Sequence, residues 1–558
     1  MVKSVLRVVY LEVKGLHQAA YVLGLFAFSS QLLALLRDRL LAHQFGASAE
    51  LDIYYAAFRI PDLLYVLFAS TLSVYVLIPF VAERIKGTST EKAQQLLSQV
   101  ASLFLVSYSV LAAIIWYFAP SIVPFIAPGL VDSSDQIVLL LRILLLQPLL
   151  LGISSLFGVV TQIGHRFVLY ALSPLVYNLG IIFGIGVLYP MVGLAGLTYG
   201  VVLGALGHML LQWPLVRSSD LSFGLTTTFS WSTMWEVCKV SIPRATTLAL
   251  HQVVLLALVA IASVMTVGSV AVFQFAYNLQ SVPLAIIGAS YSIAAFPLLA
   301  DLFVKQKFDR FRSHILIALR HIIFWSVPVV VLVIVLRAQL VRVVLGSGAF
   351  DWNDTRLTAA VLAVLCISLV AQAVNLLIIR AFYAGGHTRG PLVVATIAAI
   401  ATISSTYGLY VTGAMNAPIF QYVLEVLRVD DVMGGEVLLI ALTYSAFTLL
   451  QAAWLLLWAA RTYQLPLSWL PLHVGRSVAA ALCGGFCAYA TINFVALGIN
   501  PQSLVGILIQ GFFGLLFGVG GVIAAYYLVR SPELHEIAHS FKTKILKTDV
   551  LVSQDDVL

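Results

Sequence analysis

The sequence predicts an all-α integral membrane protein of about fourteen transmembrane helices, arranged as two parallel six-helix lobes followed by two C-terminal helices. Three observations carry this expectation. Hydrophobic residues make up 61% of the chain and charged residues only 10%, with a mean hydropathy of +1.01. Soluble chains carry about 25% charged residues, and so little polar surface could not cover a water-facing exterior. Apolar runs of about 20 residues, the length that crosses a bilayer, recur along the chain. Basic residues sit in short segments between alternate runs, so the net charge of +7 reads as membrane topology and no nucleic-acid partner is expected.

In order, the candidate spans lie near 16–41, 53–82, 98–119, 136–160, 167–189, 192–215, 241–265, 269–300, 314–336, 356–384, 391–413, 437–460, 473–497 and 503–529. Lys3, Arg7 and Lys14 precede the first run as in a secretory leader, but no small-residue cleavage site leads into a soluble domain, so 16–41 is read as a span. With the N-terminus inside, twenty-three of the thirty-one Lys and Arg fall on the cytoplasmic side, including Arg84, Lys86, Arg166, Lys305, Lys307 and Arg310. Only Arg37, Arg39, Arg337, Arg342, Arg356 and Arg428 fall on the other side. An odd number of spans would scramble this bias, so both termini are expected in the cytoplasm. The organisation that follows is a cytoplasmic N-terminus (1–15), a first lobe (16–216), a cytoplasmic linker (217–240), a second lobe (241–460), two further spans (461–529) and a cytoplasmic tail (530–558).

The lobes repeat each other. Gly129-Leu130-Val131-Asp132-Ser133-Ser134-Asp135 precedes the fourth span, and Gly348-Ala349-Phe350-Asp351-Trp352-Asn353-Asp354 precedes the tenth. Locally each is a helix start, with Asp in the first turn. Pro79 with Glu83 is echoed by Pro297 with Asp301, and Gly164-His165 by Gly386-His387, at nearly the same offset. Repeats separated by six spans share one orientation, and parallel repeats in transporters place the substrate path between them.

Charged residues inside spans cost about 2.5–3.5 kcal/mol each at mid-bilayer and must face protein or water. The first two spans hold the densest set: Gln31, Arg37, Asp38, Arg39, Asp52, Arg59 and Asp62. Asp52 and Arg59 share a helix face. The seventh span carries Arg244, His251 and Gln252, and the eighth Gln274, Asn278 and Gln280. These residues either line a wet path or bond helix to helix. Arg142 is an isolated cation that should pair with a carboxylate or meet an anion, whereas Asn178 and His208 read as interhelical hydrogen bonders. Cys238, Cys366, Cys483 and Cys487 lie in or beside apolar runs without further ligands nearby, so packing is expected and no metal site.

The run Leu36-Arg37-Asp38, Phe45-Gly46-Ala47, Asp52, Ala57-Phe58-Arg59-Ile60-Pro61-Asp62-Leu63-Leu64 and Ile78-Pro79 resembles the start of the MviN/MurJ lipid II flippases, within the multidrug/oligosaccharidyl-lipid/polysaccharide exporter superfamily. Ala127-Pro128-Gly129, Gly348-Ala349-Phe350, Arg380-Ala381-Phe382-Tyr383-Ala384 and Thr388-Arg389 extend the resemblance over roughly residues 16 to 400. It implies fourteen helices, two six-helix lobes, a central cationic cavity, a lipid-tail groove on the last two helices and alternating-access export of an undecaprenyl-diphosphate-linked peptidoglycan precursor. Arg37 and Asp52 match positions the family uses. The sequence departs from the pattern where family arginines align with Gln31, near Tyr65 and with Asn278.

The resulting expectation is a flippase for a polyprenyl-diphosphate-linked glycan, most simply lipid II, in a bacterial cytoplasmic membrane. Arg37, Asp52 and Arg59 would hold the head group, and Gln31, Tyr65, Asn278 and Arg244 would line the path. Guanidinium groups suit a diphosphate because they bind phosphate oxygens in pairs. The partners expected are the lipid-linked glycan, membrane lipids and the cell-wall synthesis machinery. No cofactor is expected, and no nucleotide-binding loop is present, which leaves an ion gradient or the membrane potential as candidate energy sources. Three alternatives stand beside it. An exporter of another lipid-linked oligosaccharide or of a small cation would use Asp52 or Asp62. A membrane glycosyltransferase would use Asp430-Asp431 in the loop 414–436. A transport-dead scaffold would tolerate every mutation of the polar set.

Overall fold

A computed structural model describes residues 16–71, 74–87, 90–164, 166–496 and 503–536. Helices account for nearly all of them, and there is no strand among the described residues. In chain order the helices are α1 (Leu16–Phe45), α2 (Ala49–Thr71), α3 (Val74–Gly87), α4 (Thr90–Ile126), α5 (Ser134–Leu144), α6 (Leu146–Ile163), α7 (Phe167–Phe183) and α8 (Leu194–Ser218). The second half supplies α9 (Trp231–Ser263), α10 (Ser269–Pro283), α11 (Ser290–Val304), α12 (Phe308–Val335), α13 (Arg337–Val344), α14 (Trp352–Ile367), α15 (Leu369–Ala384), α16 (Arg389–Val411), α17 (Pro418–Leu427), α18 (Val437–Tyr463), α19 (Leu470–Ala496) and α20 (Leu504–Leu528).

Among the described residues, eleven helical stretches are long and apolar enough to cross a membrane, and twelve if α14 and α15 count as one bent span. The expected fourteen is not established by that measure. α1 and α2 are not among the eleven, and they are the helices that carry Arg37, Asp38, Arg39, Asp52, Arg59 and Asp62.

Several spans are interrupted among the described residues. α7 and α10 run into widened π turns at Gly184–Leu188 and Leu284–Ala289. α14 and α15 meet at a 42° bend at Ser368. Side chains explain that bend: Gln280 Nε2 donates to the Leu365 carbonyl (2.6 Å), Ser368 Oγ donates to the same carbonyl (2.7 Å), and Gln372 Nε2 donates to Ser368 Oγ (2.9 Å). A helix kinks where side chains take over carbonyls from the ladder.

Packing divides the chain into two compact units. The first comprises 1–279, 344–361 and 388–444, and the second comprises 280–343, 362–387 and 445–558. Within the first, Leu97, Phe104, Tyr108, Leu156 and Phe157 anchor the core, and the Tyr108 hydroxyl donates to the Leu145 carbonyl at 2.5 Å. α7 and the π turn after it press on α8 at Gly180, Gly184, Gly200 and Gly204, where a Cβ on Gly180 or Gly200 would overlap the facing backbone. Small residues allow such close helix approach where lipid supplies no hydrophobic drive. Within the second unit, Phe324, Leu332, Ala480, Ala488, Val522 and Tyr526 form the core.

Candidate functional site

The polar residues of α1, α2 and α10 form one hydrogen-bonded chain inside the first unit. Arg37 grips Asp38 Oδ1 with Nε at 2.9 Å and Nη2 at 2.8 Å. Asn278 Nδ2 donates to the other Asp38 oxygen (3.0 Å), Gln274 Nε2 donates to Asn278 Oδ1 (2.7 Å), and Arg59 Nη2 donates to Gln274 Oε1 (2.5 Å). Two arginines are thus joined through an acid and two amides. Asn278 sits one helical turn after Gln274, so one face of α10 presents both. Asp38 is buried, whereas the Arg37 side chain keeps 22% of its surface exposed. A guanidinium has five N–H donors in a fixed fork, so Arg37 has donors to offer an anion. Asp62 is half-buried one turn beyond Arg59. His251 Nε2 and the Tyr277 hydroxyl lie 2.8 Å apart.

Asp52 does something different. It is buried, and its two oxygens accept from backbone N–H groups at the start of α10: Gly268 N to Oδ2 (2.7 Å) and Ala271 N to Oδ1 (2.8 Å). A carboxylate on the free N–H groups of a helix start is favourable for charge and hydrogen bonding alike. This contact lies at the ends of the spans opposite the basic segments, here called the outer ends. Nearby, Asp354 Oδ2 accepts from Ala47 N (3.1 Å), Ala349 N donates to the His43 carbonyl (2.9 Å), and Gly129 N donates to Ser263 Oγ (3.1 Å). The repeated Gly motifs therefore have matching partners: Gly129 packs on the end of α9 at Ser263, and Gly348 packs on the end of α1 at His43. Gly348 also needs its positive φ of +60°.

A profile of the family described as "Lipid II flippase MurJ" matches residues 41–491. The chain belongs to the MurJ family. The "Lipid II flippase MurJ" of Burkholderia cenocepacia is 23% identical over 524 residues, covering 91% of this chain and 98% of that protein. The "Probable lipid II flippase MurJ" of Thermotoga maritima is 27% identical over 390 residues, covering 69% of this chain and 77% of that protein. Among solved structures, "Lipid II flippase MurJ, inward closed conformation" aligns with a TM-score of 0.70 at 21% identity, over 91% of this chain and 99% of that one. An inward-facing MATE-family transporter of the MOP superfamily aligns with a TM-score of 0.62 at 14% identity, over 78% and 94%. These structures establish the shared fold, and the MurJ family is one of flippases.

Of the residues expected from sequence, Arg37, Arg59 and Asn278 are brought into one network. Asp52 stands apart at the outer end, with both oxygens on backbone. Tyr65 is half-buried and faces Ser155 of α6. Gln31 is half-buried and takes no part in the network. Arg244 falls on α9, and its side chain lies outside the described residues, as does His165 of the Gly-His repeat. Among the described residues Arg142 meets no carboxylate; it lies 4.3 Å from the Trp116 ring and donates to the Trp116 carbonyl (3.1 Å). Asn178 and His208 are interhelical hydrogen bonders, Asn178 to Ser30 and Arg37, and His208 to Ser154. Asp38 and Gln274 were visible as polar residues in spans, but their role as connectors was not, because their partners are up to 240 residues away.

One acid of the pair in the loop 414–436 has a partner. Asp431 is ion-paired with Arg356, whose Nη1 donates at 2.9 Å and whose Nε donates to the Arg428 carbonyl at 3.1 Å. Asp431 thus fastens the loop to Arg356. Among the described residues no group of His, Cys, Asp and Glu is placed to hold a metal ion.

Proposed function

We propose that this chain carries lipid II across a bacterial cytoplasmic membrane by alternating access, with both termini on the cytoplasmic side. The single observation that supports the site is the relay Arg37–Asp38–Asn278–Gln274–Arg59. An arriving diphosphate exchanges its water for Arg37 and Arg59 N–H groups, while Asp38 and the amides keep both guanidinium groups oriented in its absence. Guanidinium and diphosphate pair in bidentate fashion, and each charge-assisted bond is worth about twice a neutral one. Gln31, Tyr65 and Asn278 supply hydrogen bonds to the sugars and phosphates.

Asp52 serves the cycle rather than the cargo. It holds the outer ends closed while the inner ends admit substrate, and releasing its two backbone bonds lets the outer ends part. No step in this scheme requires a bound cofactor. The coupling energy is an ion gradient or the membrane potential, and the flipped product passes to the cell-wall synthesis machinery.

Neutral residues at positions where family arginines align support a second reading, in which the cargo is a different lipid-linked oligosaccharide. Export of a small cation, which would use Asp52 or Asp62, loses Asp52 as a free ligand, because both its oxygens accept from backbone N–H groups. Binding of lipid II to the purified protein, compared with Arg37→Ala and Arg59→Ala, tests the site. Binding lost in both variants at unchanged expression supports it; binding unchanged in both contradicts it.

A further inference from the structure

The loop 414–436 contains a helix that none of the transport chemistry uses. α17 (Pro418–Leu427) buries Phe420 and Leu424 against the protein, yet Ile419, Tyr422 and Val426 are 81%, 67% and 58% exposed. At about 100° per residue these three form a second side of the helix, and half-buried Val423 and Leu427 bridge it to the buried side. The apolar arc is therefore continuous and covers more than half of the circumference, leaving Gln421 and Glu425 as a narrow polar strip. A helix that faces water on its outer side has the opposite proportions, with an apolar stripe of roughly 100°.

What covers that second side is indicated by the preceding span. α16 exposes Val393, Ile397, Ile400, Tyr407 and Val411 at alternating steps of four and three or seven, a single lipid-facing seam. The seam ends at Val411, and after one short turn through Gly413 the exposed residues of α17 follow. Tyr422 and Tyr407 are of the type enriched at the headgroup level of a bilayer.

We propose that α17 is an interfacial anchor, lying in the headgroup–acyl boundary of the outer leaflet with Ile419, Tyr422 and Val426 in lipid and Gln421 and Glu425 toward water. The inference rests on the membrane-spanning fold and not on the identity of the cargo. The anchor is wired to the outer closure. Arg356 holds Asp431 and the Arg428 carbonyl just after the helix. Glu436 accepts from both the backbone N–H (2.9 Å) and the hydroxyl of Thr266. Thr266 belongs to the turn whose Gly268 N–H bonds Asp52. Depth in the outer leaflet is thereby referred to the turn that Asp52 holds.

The test uses the full chain with Cys238, Cys366, Cys483 and Cys487 replaced, reconstituted in phospholipid nanodiscs, with a nitroxide on Tyr422→Cys or on Gln421→Cys. The expected result is a label at 422 that collides severalfold more often with oxygen than with a water-soluble nickel chelate, and the reverse preference at 421. Equal nickel access at both positions would overturn the proposal, as would a label at 422 shielded from both reagents, which would mean that protein covers this face. Ile419→Cys reports on the same face if Tyr422→Cys does not fold.

Discussion

The backbone N–H of Ala271 lies 2.8 Å from the carboxylate of Asp52, and the two residues are 219 positions apart, the offset that also relates Gly129 to Gly348. Equivalent positions of two repeats touch only near the axis that relates them. Asp52 therefore fastens the start of α2 to the start of α10 within the first unit, where the expected repeats would meet at their axis. It is the residue to disturb first.

Asp52→Asn keeps the shape but removes the charge and one acceptor. Hydrogen bonds to a charged group contribute about 1.5–3 kcal/mol, so the closed state should lose roughly tenfold to a hundredfold in population. Labelling of Ala47→Cys by an impermeant maleimide from the outer side should rise accordingly in the Asp52→Asn background. Unchanged labelling would show that Asp52 does not hold the closure.

Gly129 offers a steric version of the same test. A Cβ at this position would land on the Ser263 carbonyl group, whereas one at Gly224 meets nothing within 4 Å. Gly129→Ala should open the outer ends and reduce transport severalfold, and Gly224→Ala should do neither. Equal behaviour of the two variants in the maleimide assay would argue against the packed contact.

Much of this was legible in the sequence because the bilayer imposes simple rules. Apolar runs located helices, of which eleven stretches, or twelve with the bent pair, are long and apolar enough to cross a membrane among the described residues. Charges that are costly in lipid marked α1 and α2, where Arg37, Asp38 and Arg59 do converge. The offset between Gly129 and Gly348 announced two matching turns. What was not legible had backbone or a ring as its partner. Asp52 bonds N–H groups of Gly268 and Ala271, which no side-chain pattern reveals, and Arg142 is satisfied by Trp116. The bend at Ser368 depends on Gln280, far away in sequence. α17 is too short for a span and lies in a stretch that composition marks only as loop.

Asn278 is where the relay departs from the family's arginines, and it can be changed back. Asn278→Arg should pair directly with Asp38 and leave more of Arg37 for phosphate. Lipid II affinity should rise severalfold, measured by titration of the purified protein. A fall in affinity with intact folding would place the head group elsewhere.

The loop behind α17 should respond to acid. Hydrogen bonds from Arg356 hold the Asp431 carboxyl below the usual carboxylate range. A carboxylate depressed in the folded state contributes above its unfolded value, about 3.9, and that contribution is lost as pH falls through the folded value. Hydrogen-exchange protection factors in 418–436 should hold from pH 7 to about 5 and fall below about pH 4. Asp431→Asn should exchange fast throughout, and a loop equally protected in that variant would rule out the pairing as its fastening.

The most direct test of the central claim is complementation. The chain is expressed in bacteria depleted of their own lipid II flippase, and lysis is scored alongside Arg37→Ala at matched membrane levels. The account predicts rescue by the natural sequence and lysis with Arg37→Ala. Lysis with both, with the protein present in the membrane, would contradict lipid II as the cargo.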